Sequence, residues 1–509
     1  MTPTDAPVAV DSMLPVLLPV TMLVGALLAT AANAWRPSVA RWVAVVATGF
    51  ATVAAGTGLA RAIDGELLTS TLGGWAEPIG IGYRLDTLSG FIATLVAFMG
   101  LLVCLYPPKA GFATAADRKL PIHALVLLLL SGLLGVAMSA DLFNLFVFLE
   151  IYSIAGYALI ALGGPRATVA AFRYLIIGTI GSSLYLLGVG FVYFTTGTLS
   201  MGGARSGLDA LGDSPTLVAA VVLMAVGLAT KMALFPLHVW LPGAHSHAPP
   251  AAAALLASVQ VKVAAYALIR ILLEVTPDSL LERVPILPIL TWVGIGGVLF
   301  GSVLAIRQRE VKRMLAYSTV AQLGYIGLGI GLDTPVALVG SLLLVLNHAF
   351  MKGTMFFVAG SVYAATGRKA LSEFAGLGRR MPWTMTGFTI AAVSMVGLPP
   401  TAGFFSKFYL VLGAGDAAEG GTWWAWVVAA VVVASSLLTL SYFLPVLEAV
   451  WFRPDPDGAD APRCEAGPLA TLPVAVLAVG LLVVGIANVP IVENVLDPVS
   501  NLLAGQAGS

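Results

Sequence analysis

Charge is scarce in this chain. Of its 509 residues only 10% are Asp, Glu, Lys or Arg, while 59% are hydrophobic. Soluble domains carry about 25% charged residues, and a soluble chain of this length would divide into several domains, each with such a surface. The shortage points to lipid as the main solvent. Cysteine is scarcer still: Cys104 lies in an apolar run and Cys464 in a polar loop, and no CxxC occurs. That argues against a disulfide framework and a cysteine-rich metal or iron–sulfur site, so neither a cofactor nor redox chemistry of the chain's own is expected. The formal net charge is zero, which gives no global field toward nucleic acid. The opening stretch MTPTDAPVAVDSM has no Lys or Arg. A signal peptide begins with a basic region, so the first apolar run is expected to be a retained span.

Long apolar runs are what the chain has in abundance. A membrane helix needs about 20 mainly apolar residues. Fourteen candidate spans result, at roughly 13–34, 41–62, 85–106, 122–140, 141–163, 167–196, 214–236, 249–275, 284–306, 310–331, 333–365, 383–412, 422–452 and 467–489. With the N-terminus outside, 17 of the 26 basic residues fall in inner loops, including Arg118, Lys119, Lys312, Arg313, Arg368 and Arg380. Only Arg61, Arg84, Arg205 and Arg283 fall in outer ones. This separation follows the positive-inside rule and supports fourteen helices with both termini outside. Residues 65–84 read as a short outer hairpin or interfacial turn, 454–466 as a polar inner loop, and the tail from about 490 as a short amphipathic helix.

Several ionisable residues stand where lipid should be. A charged side chain at a helix centre costs about 2.5–3.5 kcal/mol on insertion scales. Glu150 lies nine residues past Asp141, and Lys231 and Lys262 also lie well inside apolar runs. His348 and Lys352 are four apart, hence on one helical face, and Lys407 follows GLPPTAGFFS. Ser258, Lys262, Tyr266 and Arg270 form one stripe; Ser318, Gln322 and Tyr325 form another. Such stripes should face protein or water, and they mark a hydrated path. The bland alternative is snorkelling of long side chains to the interface. It is the preferred reading for Arg270 and accounts for Lys312 and Arg313. His238, His245 and His247 sit near a helix break; no carboxylate or cysteine accompanies them, so no metal site is expected, and His238 is kept as a path-lining residue.

Two spans are interrupted. The seventh ends in LFPLHVWLPGAHSHAPP, with Pro236, and the twelfth contains SMVGLPPTAGFFSK, with Pro399 and Pro400. Proline removes a donor and clashes with the preceding turn; the freed carbonyls need protein, water or ions. Paired Gly/Pro breaks point to transporter sites built from inverted repeats. The division expected is residues 1–121 for helices one to three with the hairpin, 122–275 for a first five-helix repeat, 284–452 for a second, inverted one, and 453–509 for the loop, last helix and tail.

Together TKMALFPLHVWLP, the HAPP turn, the Lys262 span, LNHAFMKGTMFFVAGSV and GLPPTAGFFSKFYL resemble the antiporter-like subunits shared by respiratory complex I, membrane-bound hydrogenases and Mrp-type multisubunit monovalent cation/proton antiporters. The resemblance covers about residues 85–450. It implies an all-α membrane protein of about fourteen helices with two inverted five-helix repeats. It also implies a proton path through Glu150, Lys231, Lys262, His348 and Lys407, to which Lys352 is added by its place on the face of His348. Length and Lys407 look most similar to the D subunit of Mrp antiporters, although Gly243 stands where complex I branches often have Asp. The expected function is that of a proton-translocating subunit of a Na+/H+ antiporter in a bacterial cell membrane, working with other membrane subunits. The alternative is a proton-pumping subunit of a redox complex, either NADH:quinone oxidoreductase or hydrogenase; coupling to a bicarbonate-handling partner and a scaffold role are further alternatives.

Overall fold

The computed structural model describes residues 7–75, 80–112, 120–212, 214–458 and 462–505. The expectations for Arg118 and Lys119, and for parts of the hairpin, polar loop and tail, lie outside the described residues. Apolar helices dominate because a backbone in lipid must satisfy its own hydrogen bonds. We number them α1 (Leu14–Trp35), α2 (Pro37–Ile63), α3 (Thr87–Leu105), α4 (Ile122–Met138), α5 (Leu142–Ala161), α6 (Pro165–Thr196), α7 (Pro215–Met232), α8 (Leu241–His247) and α9 (Pro250–Val275). The second half has α10 (Ile286–Ile306), α11 (Val311–Gly331), α12 (Pro335–Thr366), α13 (Pro382–Val396), α14 (Ala402–Glu419), α15 (Ala425–Phe452), α16 (Pro468–Ile486) and a tail helix α17 (Asp497–Gly505). Among the described residues eleven helical stretches are long and apolar enough to span a membrane. The other three expected spans are helical too. One is the shorter α4, one the more polar α11, and one the interrupted pair α13–α14.

The expected hairpin is there: β2 (Glu66–Thr71) pairs antiparallel with β3 (Gly82–Leu85). A third strand, β1 (Val8–Asp11), was not expected; it pairs parallel with β2 and sets Val8 opposite Glu66. Parallel pairing joins distant segments and leaves no local turn signal.

Burial sorts the helices into a rim and a centre. α1, α2 and α6 leave many large apolar side chains exposed, such as Leu27, Val46 and Phe172, as a lipid-facing surface does. α9 is buried along its whole length, and α12 nearly so. Small residues allow close backbone approach where apolar lipid gives helices no reason to associate. Gly324 of α11, for instance, leaves only 2.6 Å from an added Cβ to the carbonyl oxygen of Gly294 on α10. Both breaks fall where expected. α7 ends at Met232 with Ala233 left-handed (φ 59°), and the chain resumes as α8; α13 ends at Val396 with Gly397 left-handed (φ 91°), and the chain resumes as α14.

Candidate functional site

The break after α7 places Lys231 on its last turn, facing α5. The Lys231 ammonium donates to Glu150 Oε1 at 3.2 Å and to Ser153 Oγ at 2.7 Å. Ser182 of α6 donates to the same carboxylate. Lys231 is 1% exposed and Glu150 26%, so the pair reaches toward the rim on its acidic side only. The Thr230 carbonyl at the helix end receives the Trp240 indole N–H at 3.0 Å. Freed backbone groups are thus met by protein, as a span in lipid requires.

α9 carries the next basic group. Its α-helical winding is interrupted by wider turns at Leu256–Gln260 and Ile271–Val275. Such π-turns loosen the carbonyl ladder, and Lys262 donates back to the carbonyl of Ala257 inside the first of them. On α12, His348 is fully buried and neither ring nitrogen meets a partner among the described residues. One turn on, Lys352 donates to the Leu315 carbonyl at 2.8 Å and Ser318 Oγ at 2.5 Å. Of the second polar stripe, Ser318 holds Lys352, while Gln322 and Tyr325 are buried further along it. Lys262, His348, Lys352 and His245 lie within each other's electrostatic reach.

Lys407 finishes the row. From the second turn of α14 it reaches back to the end of α13, donating to the carbonyls of Met395 (3.0 Å) and Val396 (2.9 Å) and to Ser436 Oγ (3.0 Å). Its ammonium stands 5.4 Å from the centre of the Tyr325 ring, whose hydroxyl bonds Ser435. An added Cβ at Gly397 would lie 3.0 Å from Lys407 Cδ, so this glycine supplies both the left-handed turn and the room.

The first stripe divides. Ser258 Oγ has no partner among the described residues, while Tyr266 donates to the Ala137 carbonyl at 2.8 Å. Arg270 does not snorkel: it is 4% exposed, donating to Tyr266 (3.1 Å), Asp86 (2.5 Å) and Glu274 (2.7 Å). Arg84 pairs with Glu274 as well. Two carboxylates and a phenol fix the guanidinium, which removes the reason to reach for water. Lys312 also departs from the snorkelling expectation, because its ammonium donates to the Ala248 carbonyl, whereas Arg313 is exposed as expected. His238 stacks on Phe235 with ring centres 5.5 Å apart. Among the described residues no three His, Cys, Asp or Glu side chains are grouped to hold a metal. The hydroxyls of Ser153, Ser182 and Ser436 were missed. Ser153, three residues from Glu150 and so on its face, was the one legible from spacing.

The family described as "NADH:quinone oxidoreductase/Mrp antiporter, TM" matches residues 139–439, a stretch that contains all six residues from Glu150 to Lys407. The chain is 46% identical over 445 residues to the N subunit of the NADH-quinone oxidoreductase of Desulforudis audaxviator (strain MP104C), covering 85% of this chain and 87% of that one. It is 34% identical to the D subunit of the Na(+)/H(+) antiporter of Alkalihalophilus pseudofirmus, covering 75% of each. A chain in the structure of the Mrp complex from Dietzia sp. DQ12-45-1b superposes with a TM-score of 0.85 at 26% identity, over 97% of this chain and 98% of that one. With its paired breaks and its row of buried bases, the chain belongs to the NADH:quinone oxidoreductase/Mrp antiporter transmembrane family, as a proton-translocating, antiporter-like membrane subunit.

Proposed function

We propose that protons cross this subunit along Glu150, Lys231, Lys262, His348, Lys352 and Lys407, within a multisubunit monovalent cation (Na+)/H+ antiporter. The observation that carries the path is the Glu150–Lys231 contact at 3.2 Å, followed by three buried lysines that meet only neutral oxygens and a buried histidine whose ring nitrogens meet no partner among the described residues. In a low dielectric, charges act on one another strongly. While Glu150 is ionised it holds the Lys231 proton; neutralising or moving the carboxylate releases that proton toward Lys262. Each arrival repels the next charge along the row, and His348 suits the middle because imidazole exchanges protons near neutrality. Ser258, Tyr266, Ser318, Gln322 and His238 line or flank the path in this reading. The division into repeats at 122–275 and 284–452 makes the two breaks counterparts. The subunit is read as a multi-pass protein of the cell membrane with both termini outside. In this reading proton entry drives sodium exit, with the cation route shared with partner subunits.

The 46% identity to a NADH-quinone oxidoreductase subunit favours a second reading, in which the same row pumps protons with energy from redox partners. Everted vesicles from cells expressing the whole gene cluster separate the two. They are energised, the pH gradient is followed by fluorescence quenching, and sodium, lithium or potassium is added to wild type and Lys231→Ala. Cation-triggered dequenching that the variant loses supports the antiporter. A wild type without cation response, and a variant defective only in electron-transfer-driven pumping, supports the redox-coupled reading and ends the first.

A further inference from the structure

His245 takes part in none of these steps. It lies on α8, fully buried, and neither ring nitrogen meets a donor or acceptor among the described residues. A neutral imidazole carries one donor and one acceptor, and burying both unpaired is costly; an apolar side chain would fill the same space without that cost. The ring packs edge-on against Trp240 and Phe356, at 6.1 and 6.3 Å between centres. Its charged surroundings come from three other elements: Lys262 on α9, His348 and Lys352 on α12, and Lys312 on α11.

Lys312 differs from the other two lysines. It is half-buried at the arginine-rich end of the molecule, where Arg307, Arg309 and Arg313 lie, and Glu310 and Lys369 are its charged neighbours. Its ammonium is held by the carbonyl of Ala248, three residues after His245. One turn along α11, about 4.5 Å further on at 1.5 Å per residue, the Leu315 carbonyl holds Lys352. α11 therefore leads from the rim to the central bases, and His245 stands beside that line.

We propose that Lys312 and His245 form a second proton entry, from the arginine-rich end into the Lys262–Lys352 centre, that works in series with the Glu150–Lys231 switch so that each cycle needs both, with the imidazole of His245 as the relay. This rests on the proton-path reading above. A proton on Lys312 passes through water to the hydrogen-free ring nitrogen of His245. The resulting imidazolium gives the proton on its other nitrogen to the free amine of Lys262 or Lys352. One proton enters the ring and one leaves, only N–H bonds change, and no electron moves.

The test uses the complete complex in everted vesicles, with His245→Gln, Lys312→Met, their double variant and Lys231→Ala compared at matched subunit content. Each single variant is expected to slow proton translocation by about tenfold or more, the scale of a lost proton-transfer group. The double variant is expected to be no slower than the slower single one, because the two groups act in series. Wild-type rates in both single variants with Lys231→Ala inactive overturn the entry and leave the main path standing. Multiplied losses in the double variant overturn it as well. Full activity in Lys231→Ala instead sinks the path reading itself. Should His245→Gln fail to assemble, Lys312→Met decides alone: a wild-type rate overturns the proposal and a slowed one supports it.

Discussion

Two lysines stand at two helix breaks, and they are held in opposite ways. Lys231 comes before its break and is met by a carboxylate, Glu150, backed by two serines. Lys407 comes after its break and is met by two main-chain carbonyls and Ser436. A full opposite charge favours the charged lysine far more than neutral dipoles do. In the proposed path the first site therefore holds a proton until Glu150 changes state, and the second takes a proton and lets it go. In the proposed path the same device, a proline-broken helix, yields a switch at one break and an outlet at the other, because among the described residues a carboxylate meets the lysine at the first break and neutral oxygens meet it at the second.

Breaking the first site should have the largest effect. Glu150→Gln leaves Lys231 buried without its counter-charge, and removing one partner of a buried pair costs about 3–5 kcal/mol; the partial exposure of Glu150 puts the expected loss toward the lower end. Thermal unfolding of the purified complex should fall accordingly, and transport should stop. Glu150→Gln with Lys231→Met together should recover most of the stability and none of the transport. A double variant as unstable as the single one would show that the loss does not come from the stranded lysine charge.

The comparison sharpens if the second site is made to resemble the first. Ser436→Glu places a carboxylate beside Lys407 and should slow proton release by about tenfold or more, since each unit of proton affinity is a factor of ten. The rate of gradient formation reads this directly, and an unchanged rate would mean that Lys407 is not the outlet. A milder change is Ser436→Ala, which removes one acceptor of three. Its cost should be about 1 kcal/mol, with transport reduced by less than about tenfold.

The smallest effect belongs away from both lysines. Burial works to raise the Asp455 carboxyl, but the bond from Arg368, the Asp457 amide and the charge of Arg380 together hold it below the ordinary carboxylate range. A carboxylate lowered in this way stabilises the fold above its unfolded value, and that contribution is lost as pH falls through the folded one. Protease cleavage in the loop after α15 should therefore rise on acidification below about pH 4. In Asp455→Asn it should be high at neutral pH already, with proton transport barely altered.

Much of this is legible in the sequence because lipid makes polar residues conspicuous. Glu150, Lys231, Lys262 and Lys407 stand out by the cost of placing them in apolar runs, and Pro236, Pro399 and Pro400 mark the breaks. Partnership over long separations cannot be read in the same way. Arg270 reads as a snorkelling residue because Asp86 lies 184 positions away, and no local pattern joins them. The carbonyls that hold Lys407 and Lys352 leave no trace in side-chain identity. Lys312 reads as an interfacial anchor because its bond runs to the main chain of Ala248, 64 positions back. The strand Val8–Asp11 is hidden for the same reason: its partner Glu66–Thr71 lies beyond two helices.

The most direct test of the central claim, that the proton held between Glu150 and Lys231 is the one that moves, is the initial rate of proton translocation in everted vesicles carrying the complete complex. Glu150→Gln and Lys231→Met should each fall to the background of vesicles that lack this subunit, with the partner subunits present in normal amount. A Lys231→Met complex that still moves protons at the wild-type rate would contradict the account.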